Sequence, residues 1–165
     1  MKTTLSIALL LFSTMGSAQN AGTPSQEELV KRVLSGIEAK DEKALEQLTI
    51  SKDEFKKYVW PVIAARVSGS NTTAESFYTV YARSSGVGVT QNFTDLGGKK
   101  LEIVKVSPGA IQKQAKGYRL FLAPEVVVRD STGQQRTVRP VGGLLEQGGA
   151  FKVTTYYLGA QSTGK

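Results

Sequence analysis

The chain of 165 residues contains no cysteine and no histidine. Their absence removes thiol and imidazole nucleophiles, the Ser-His-Asp arrangement and the common zinc ligand sets. It also removes disulfides, so packing alone must hold the fold. Beyond about the first two dozen residues there is no apolar run of the length a membrane-spanning helix needs, and the mature chain is expected not to span a membrane. Acid is the scarcer charge. There are 21 Lys and Arg against 14 Asp and Glu, a formal charge of +7. The bases are scattered singly, with Lys56-Lys57 and Lys99-Lys100 as the longest runs. That spacing describes a cationic surface and no nucleic-acid module, so nucleic acid is not expected as a partner.

What is present begins with a leader. Lys2, the apolar run Leu5 to Phe12 and the small residues Gly16-Ser17-Ala18 read as a signal peptide over residues 1–18, cleaved before Gln19. Export to a bacterial periplasm or beyond is the expectation, and the missing cysteine leaves no lipid anchor at the junction. Residues 19–24 read as a flexible lead-in, residues 25–160 as one domain and residues 161–165 as a frayed tail.

Helix-start signals crowd the N-terminal third. Ser25 with Glu28 forms the reciprocal cap that satisfies free amides, and Leu29, Val30, Val33, Leu34 and Ile37 follow on one face. Asp41 caps a short helix carrying Ala44, Leu45 and Leu48. Ser51 with Glu54 starts a third helix that buries Phe55, Tyr58 and Val59 and should stop before Pro61. After the loop at Gly69-Ser70-Asn71, Thr73 caps a helix through Phe77, Val80 and Tyr81. Gly86 and Gly88 should break it before a shorter helix around Phe93 and Leu96.

Strands follow. Lys100 to Val106 reads as the first, and Pro108 to Lys116 as a polar loop. Three long strands close the chain, at residues 118–130, 134–147 and 150–158. They are separated by the turns Asp130-Ser131-Thr132-Gly133 and Gln147-Gly148-Gly149. In the first of them Tyr118, Leu120, Leu122, Val126 and Val128 share one parity, while Arg119, Glu125 and Arg129 share the other. The expected architecture is α+β: N-terminal helices packed on a strongly curved antiparallel sheet of about four strands, cone-like in outline. Gly142-Gly143 marks a bulge that bends this sheet. No helix follows it, so a nucleotide loop is excluded.

The phrase Ile37-Glu38-Ala39-Lys40-Asp41 with Ala44, Leu45 and Leu48 resembles the helix corner of the nuclear transport factor 2-like superfamily. Gly149-Ala150-Phe151-Lys152-Val153 is similar to its last strand. Phe55 to Pro61, the corner Arg83-Ser84-Ser85-Gly86 and the late glycine-glycine hairpin resemble exported bacterial members. The resemblance covers residues 25–158. It implies a pocket between helices and sheet. Catalytic members place an aspartate base and tyrosine or aspartate donors there, but no motif of this chain aligns those residues. Independently of the resemblance, no metal or cofactor is expected.

Candidate site residues follow from type and position. Tyr58, Trp60, Tyr81 and Tyr157 are candidates for the pocket, with Trp60 either stacking on a ligand or plugging the core. Arg119, Phe121, Arg139 and Tyr156 are candidates for an exposed sheet face suited to a homodimer or an acidic protein or polymer. Glu125, in mid-strand, reads as an exposed ion-pair partner more than as a general base. The leading expectation is a non-catalytic domain that binds a small molecule or scaffolds a partner. The alternative is a cofactor-free isomerase, cyclase or hydrolase using a buried carboxylate and a tyrosine.

Overall fold

A computed structural model describes residues 22–67 and 71–157. The leader, the first part of the lead-in and the C-terminal tail lie outside the described residues. The fold is α+β with the helices first, as expected; the strands that follow form two antiparallel sheets, one of three strands and one of four.

The local helix starts fall where read, although the Ser25–Glu28 cap is one-sided, the Glu28 carboxylate pairing with Arg32 instead. Ser25 Oγ accepts from Glu28 N at the start of α1 (Gln26–Ala39), and Asp41 accepts from Ala44 N at the start of α2 (Glu42–Gln47). The Ser51–Glu54 capping box opens α3 (Lys52–Glu54). The lead-in departs from expectation at its end. Thr23 is buried and exchanges two backbone hydrogen bonds with Phe151, which ties the chain to a sheet edge before α1 begins.

Two helix ends also differ from expectation. The third helix does not stop before Pro61. It passes through a π-helical turn, Phe55–Val59, into α4 (Trp60–Ala64), with Trp60 N bonded to Phe55 O. Proline clashes with the carbonyl four residues back in a regular helix, and a widened turn immediately upstream relieves that clash. Neither do Gly86 and Gly88 break α5 (Ala74–Asp95), which runs for 22 residues from a Thr73–Ser76 capping box. Gly88 has a packing reason. A Cβ there would lie 2.8 Å from Tyr156 O and 2.9 Å from Tyr157 O, so the missing side chain lets α5 lie against the last strand.

The seven strands among the described residues are β1 (Glu102–Ser107), β2 (Ile111–Ala115), β3 (Tyr118–Leu122), β4 (Glu125–Arg129), β5 (Gln135–Val138), β6 (Val141–Gln147) and β7 (Ala150–Tyr156). They form a three-stranded sheet in the order β1-β4-β5 and a four-stranded sheet in the order β2-β3-β6-β7. Two of the expected long strands are thus each divided. Ala123-Pro124 carries the chain from the larger sheet to the smaller, and Arg139-Pro140 carries it back. Proline lacks the donor that a continuous ladder needs, which fixes both crossing points. The expected polar loop contains β2, a wholly exposed edge strand whose polar residues suit a solvated edge.

Division of the strands changes what is buried. Along β3, β6 and β7 the larger sheet is covered on both faces. Leu120 and Leu145 join a cluster with Ile50, Phe55, Tyr58 and Val59, whereas their neighbours Phe121 and Leu144 join the main cluster built on α1. Successive strand residues point to opposite faces, so adjacent buried pairs require two dry faces. Val126, Val128 and Val138 of the smaller sheet complete the main core. The turns are as read. Asp130 Oδ1 accepts from Thr132 N and Gln134 N, and Gly148 and Gly149 both have positive φ between the paired Gln147 and Ala150. The β6–β7 register shifts on both sides of Gly143, which is the expected bulge.

Candidate functional site

Three elements enclose a cleft of about 430 Å³. Tyr78, Tyr81, Ala82, Ser85, Gly86 and Val89 come from α5, at spacings of three and four that place them on one side of the helix. Glu42 and Glu46 of α2, with Thr49, Ile50 and Ser51 after it, form the opposite wall. Thr154 and Tyr156 of β7 form the floor.

Hydrogen bonds fix all three walls. Ser85 Oγ accepts from Tyr156 N at 3.1 Å, and Asn92 Nδ2 donates to Pro140 O at 2.9 Å, holding α5 on the sheet. Tyr156 Oη donates to Leu45 O at 2.8 Å, and Thr49 Oγ1 donates to the same carbonyl at 2.9 Å. Ile50 N donates to Val153 O and Val153 N to Leu48 O, so the chain leaving α2 pairs with β7. The cleft therefore exists before any ligand arrives, which lowers the ordering cost of binding.

Burial sets the protonation of its phenols. It pushes Tyr81 up to about 12, partly offset by a hydrogen bond with Thr154. It raises Tyr156 further, with Thr49 again opposing. Both remain protonated at neutral pH and act as hydrogen-bonding phenols and apolar surface, not as bases. Glu42 and Glu46, by contrast, are exposed. Among the described residues the buried polar side chains are Thr23, Ser85, Asn92 and Thr154, and none of the 14 acidic residues is buried.

Of the four expected pocket aromatics, Tyr81 alone lines this cleft. Tyr58 is buried in the second cluster, where its hydroxyl accepts from Gln147 Nε2 at 2.6 Å and its ring lies 4.8 Å from that of Tyr118. Trp60 packs on Phe77 with ring centroids 5.7 Å apart. Tyr157 lies beside Arg139 and hydrogen-bonds its guanidinium. The π-helical turn rotates Tyr58 and Trp60 into core contacts, so neither reaches the cleft.

The expected sheet face does not form. Phe121 is 7% exposed and Tyr156 3%, because each side of the larger sheet is covered along β3 and β7. Arg119 pairs with Glu146 across β3 and β6 at 2.8 Å, its guanidinium over the Phe121 ring. Arg139 stands in the crossing between the sheets and pairs with Glu125, the exposed ion pair expected of that glutamate. Among the described residues these four do not share one exposed surface of the kind that suggested a homodimer or an acidic partner.

A narrower groove of about 230 Å³ runs between α4 and the larger sheet, past Val62, Ile63, Leu120 and Gly143. Tyr81 and Thr154 line both it and the cleft. Among the described residues no group of three or more acidic, cysteine or histidine side chains is placed to hold a metal, and no helix is long and apolar enough to cross a membrane. Comparison with protein-family models, characterised proteins and solved structures finds no match to the chain.

Tyr78, Ser85, Glu42 and Glu46 escaped the sequence reading. The available signal was the spacing of Tyr78, Tyr81, Ala82, Ser85 and Val89, which marks a mixed aromatic and hydroxyl face once α5 is taken as unbroken.

Proposed function

We propose that this chain is an exported, non-catalytic binding domain whose site is the cleft between α2, α5 and β7. The observation that carries the reading is a walled cleft, braced by buried hydrogen bonds and lined by three tyrosines. Its volume falls within the range of small-molecule sites, about 300–1,000 Å³. An enzyme of the expected kind needs a carboxylate desolvated beside a tyrosine. The two carboxylates that line the cleft are exposed, which favours binding over catalysis. A helix-lined cleft over a sheet also supports the resemblance to the nuclear transport factor 2-like superfamily. Export rests on the leader, and N-terminal sequencing of secreted product starting at Gln19 checks it.

The cleft is tested with the neutral fluorescent probe N-phenyl-1-naphthylamine. Gly86 lines the cleft, and a Cβ there meets nothing within 4 Å. Wild type should enhance the probe's fluorescence saturably, and Gly86→Leu, which fills the cleft, should abolish that while folding normally. Equal enhancement by both proteins refutes the cleft as the site.

A further inference from the structure

We infer that the ligand of this cleft is an organic cation, an ammonium group carried on an aromatic or otherwise apolar body. The inference rests on the reading of the cleft as a binding site and adds the chemical class. Seven of the ten glutamates are in ion pairs: Glu27, Glu28, Glu54, Glu75, Glu102, Glu125 and Glu146. In a chain with 21 basic residues against 14 acidic ones, no Lys or Arg lines the cleft. Glu42 and Glu46 are two of the remaining three, and both line the cleft. They sit one helical turn apart on α2, so their charges act on the same opening.

The opposite wall suits the rest of such a molecule. Tyr78 and Tyr81 present aromatic rings, and a cation near an aromatic face gains from the ring's quadrupole in addition to the carboxylates. Tyr78 already has one such neighbour: Lys52 Nζ lies 5.8 Å from its ring centroid. That lysine is also paired with Glu75, so it does not neutralise Glu42 or Glu46. Ser85 adds a directional group. It is 9% exposed and faces the cleft, and its Oγ accepts from Tyr156 N. No described residue accepts the Ser85 hydroxyl proton, which leaves a donor for a ligand oxygen or nitrogen. Ile50, Ala82 and Val89 supply the apolar surface between these polar points.

The test uses three probes of matched size: 2-phenylethylammonium, 3-phenyl-1-propanol and 3-phenylpropionate. Each is titrated calorimetrically into the full chain and into the Glu42→Gln, Glu46→Gln double variant. Both positions are exposed, and the double variant should melt with wild type. The cation should bind wild type about tenfold more tightly than the alcohol, with the acid weakest, and the double variant should lose that preference. N-phenyl-1-naphthylamine, which is neutral, reports whether each protein offers a cleft at all. If the naphthylamine binds but the three probes do not differ, or the preference survives in the double variant, the cation assignment is overturned and the cleft stands. If neither the naphthylamine nor any of the three binds, the cleft reading falls and the cation assignment falls with it.

Discussion

The same substitution, glycine to alanine, should have opposite effects two residues apart on α5. At Gly86 a Cβ meets open space, so alanine contributes only its better helix propensity, about 1 kcal/mol. At Gly88 the same propensity gain is set against a clash. The added carbon would lie 2.8 Å from Tyr156 O, 2.9 Å from Tyr156 C and 2.9 Å from Tyr157 O, where ordinary contact starts at 3.4 Å. All three are backbone atoms, which cannot turn aside as a side chain can. Relief requires α5 to withdraw by roughly 0.5 Å, an overpacking strain of about 1–3 kcal/mol. Withdrawal also stretches the Ser85–Tyr156 hydrogen bond of 3.1 Å, worth about 1 kcal/mol. Gly88→Ala should therefore destabilise by about 1–3 kcal/mol once the propensity gain is subtracted. Gly86→Ala should stabilise by about 1 kcal/mol, or about 2–4 °C in Tm. Urea unfolding followed by the fluorescence of Trp60, the single tryptophan, reads both. Unchanged m-values would locate the effects in stability. Gly88→Ala as stable as Gly86→Ala would refute the close packing of α5 on β7.

Three further expectations come from the same contacts. Tyr81, raised from 10 to about 12, contributes stability that is complete below about pH 10 and lost as pH rises toward about 12. The urea midpoint of wild type should fall across that window, and Tyr81→Phe should flatten the fall. Glu54 is pushed up by burial, but hydrogen bonds from Lys152 and the Ser51 backbone outweigh this and hold it below its ordinary value. Its contribution is present above the unfolded value and lost as pH falls below about 4.5, and Glu54→Gln should cost about 1–2 kcal/mol at pH 7 and lessen the acid dependence. Trp60→Ala should destabilise by about 1–3 kcal/mol through lost contact with Phe77, while naphthylamine binding is unchanged, because Trp60 packs partly buried against the second cluster and does not line the cleft.

The elements legible in the sequence are those governed by neighbours along the chain. Ser25, Asp41, Ser51 and Thr73 each satisfy amides within three residues, and each cap stands where its residue type placed it. The strand parities misled where tertiary geometry took over. Leu122 shares the parity of Leu120 yet is 48% exposed, because the chain leaves the larger sheet one residue later. The sheet crossings at Pro124 and Pro140 were marked by the prolines, but parity alone carried the reading through both. Gly88 looked like a helix breaker by propensity. Contact with β7 outweighs that cost, since no other residue fits there. The cleft was the least legible feature. Its walls come from positions 42–51, 78–89 and 154–156, which are brought together only by the packing of α2 and α5 over β7.

Amide chemical-shift mapping with saturating N-phenyl-1-naphthylamine on uniformly labelled protein tests the central claim most directly. The account predicts that the shifts concentrate at Glu42 to Ser51, Tyr78 to Val89 and Thr154 to Tyr156, with Ser85 and Gly86 among the largest. Shifts confined to the groove at Val62, Ile63, Leu120 and Gly143, or none at saturation, would contradict it.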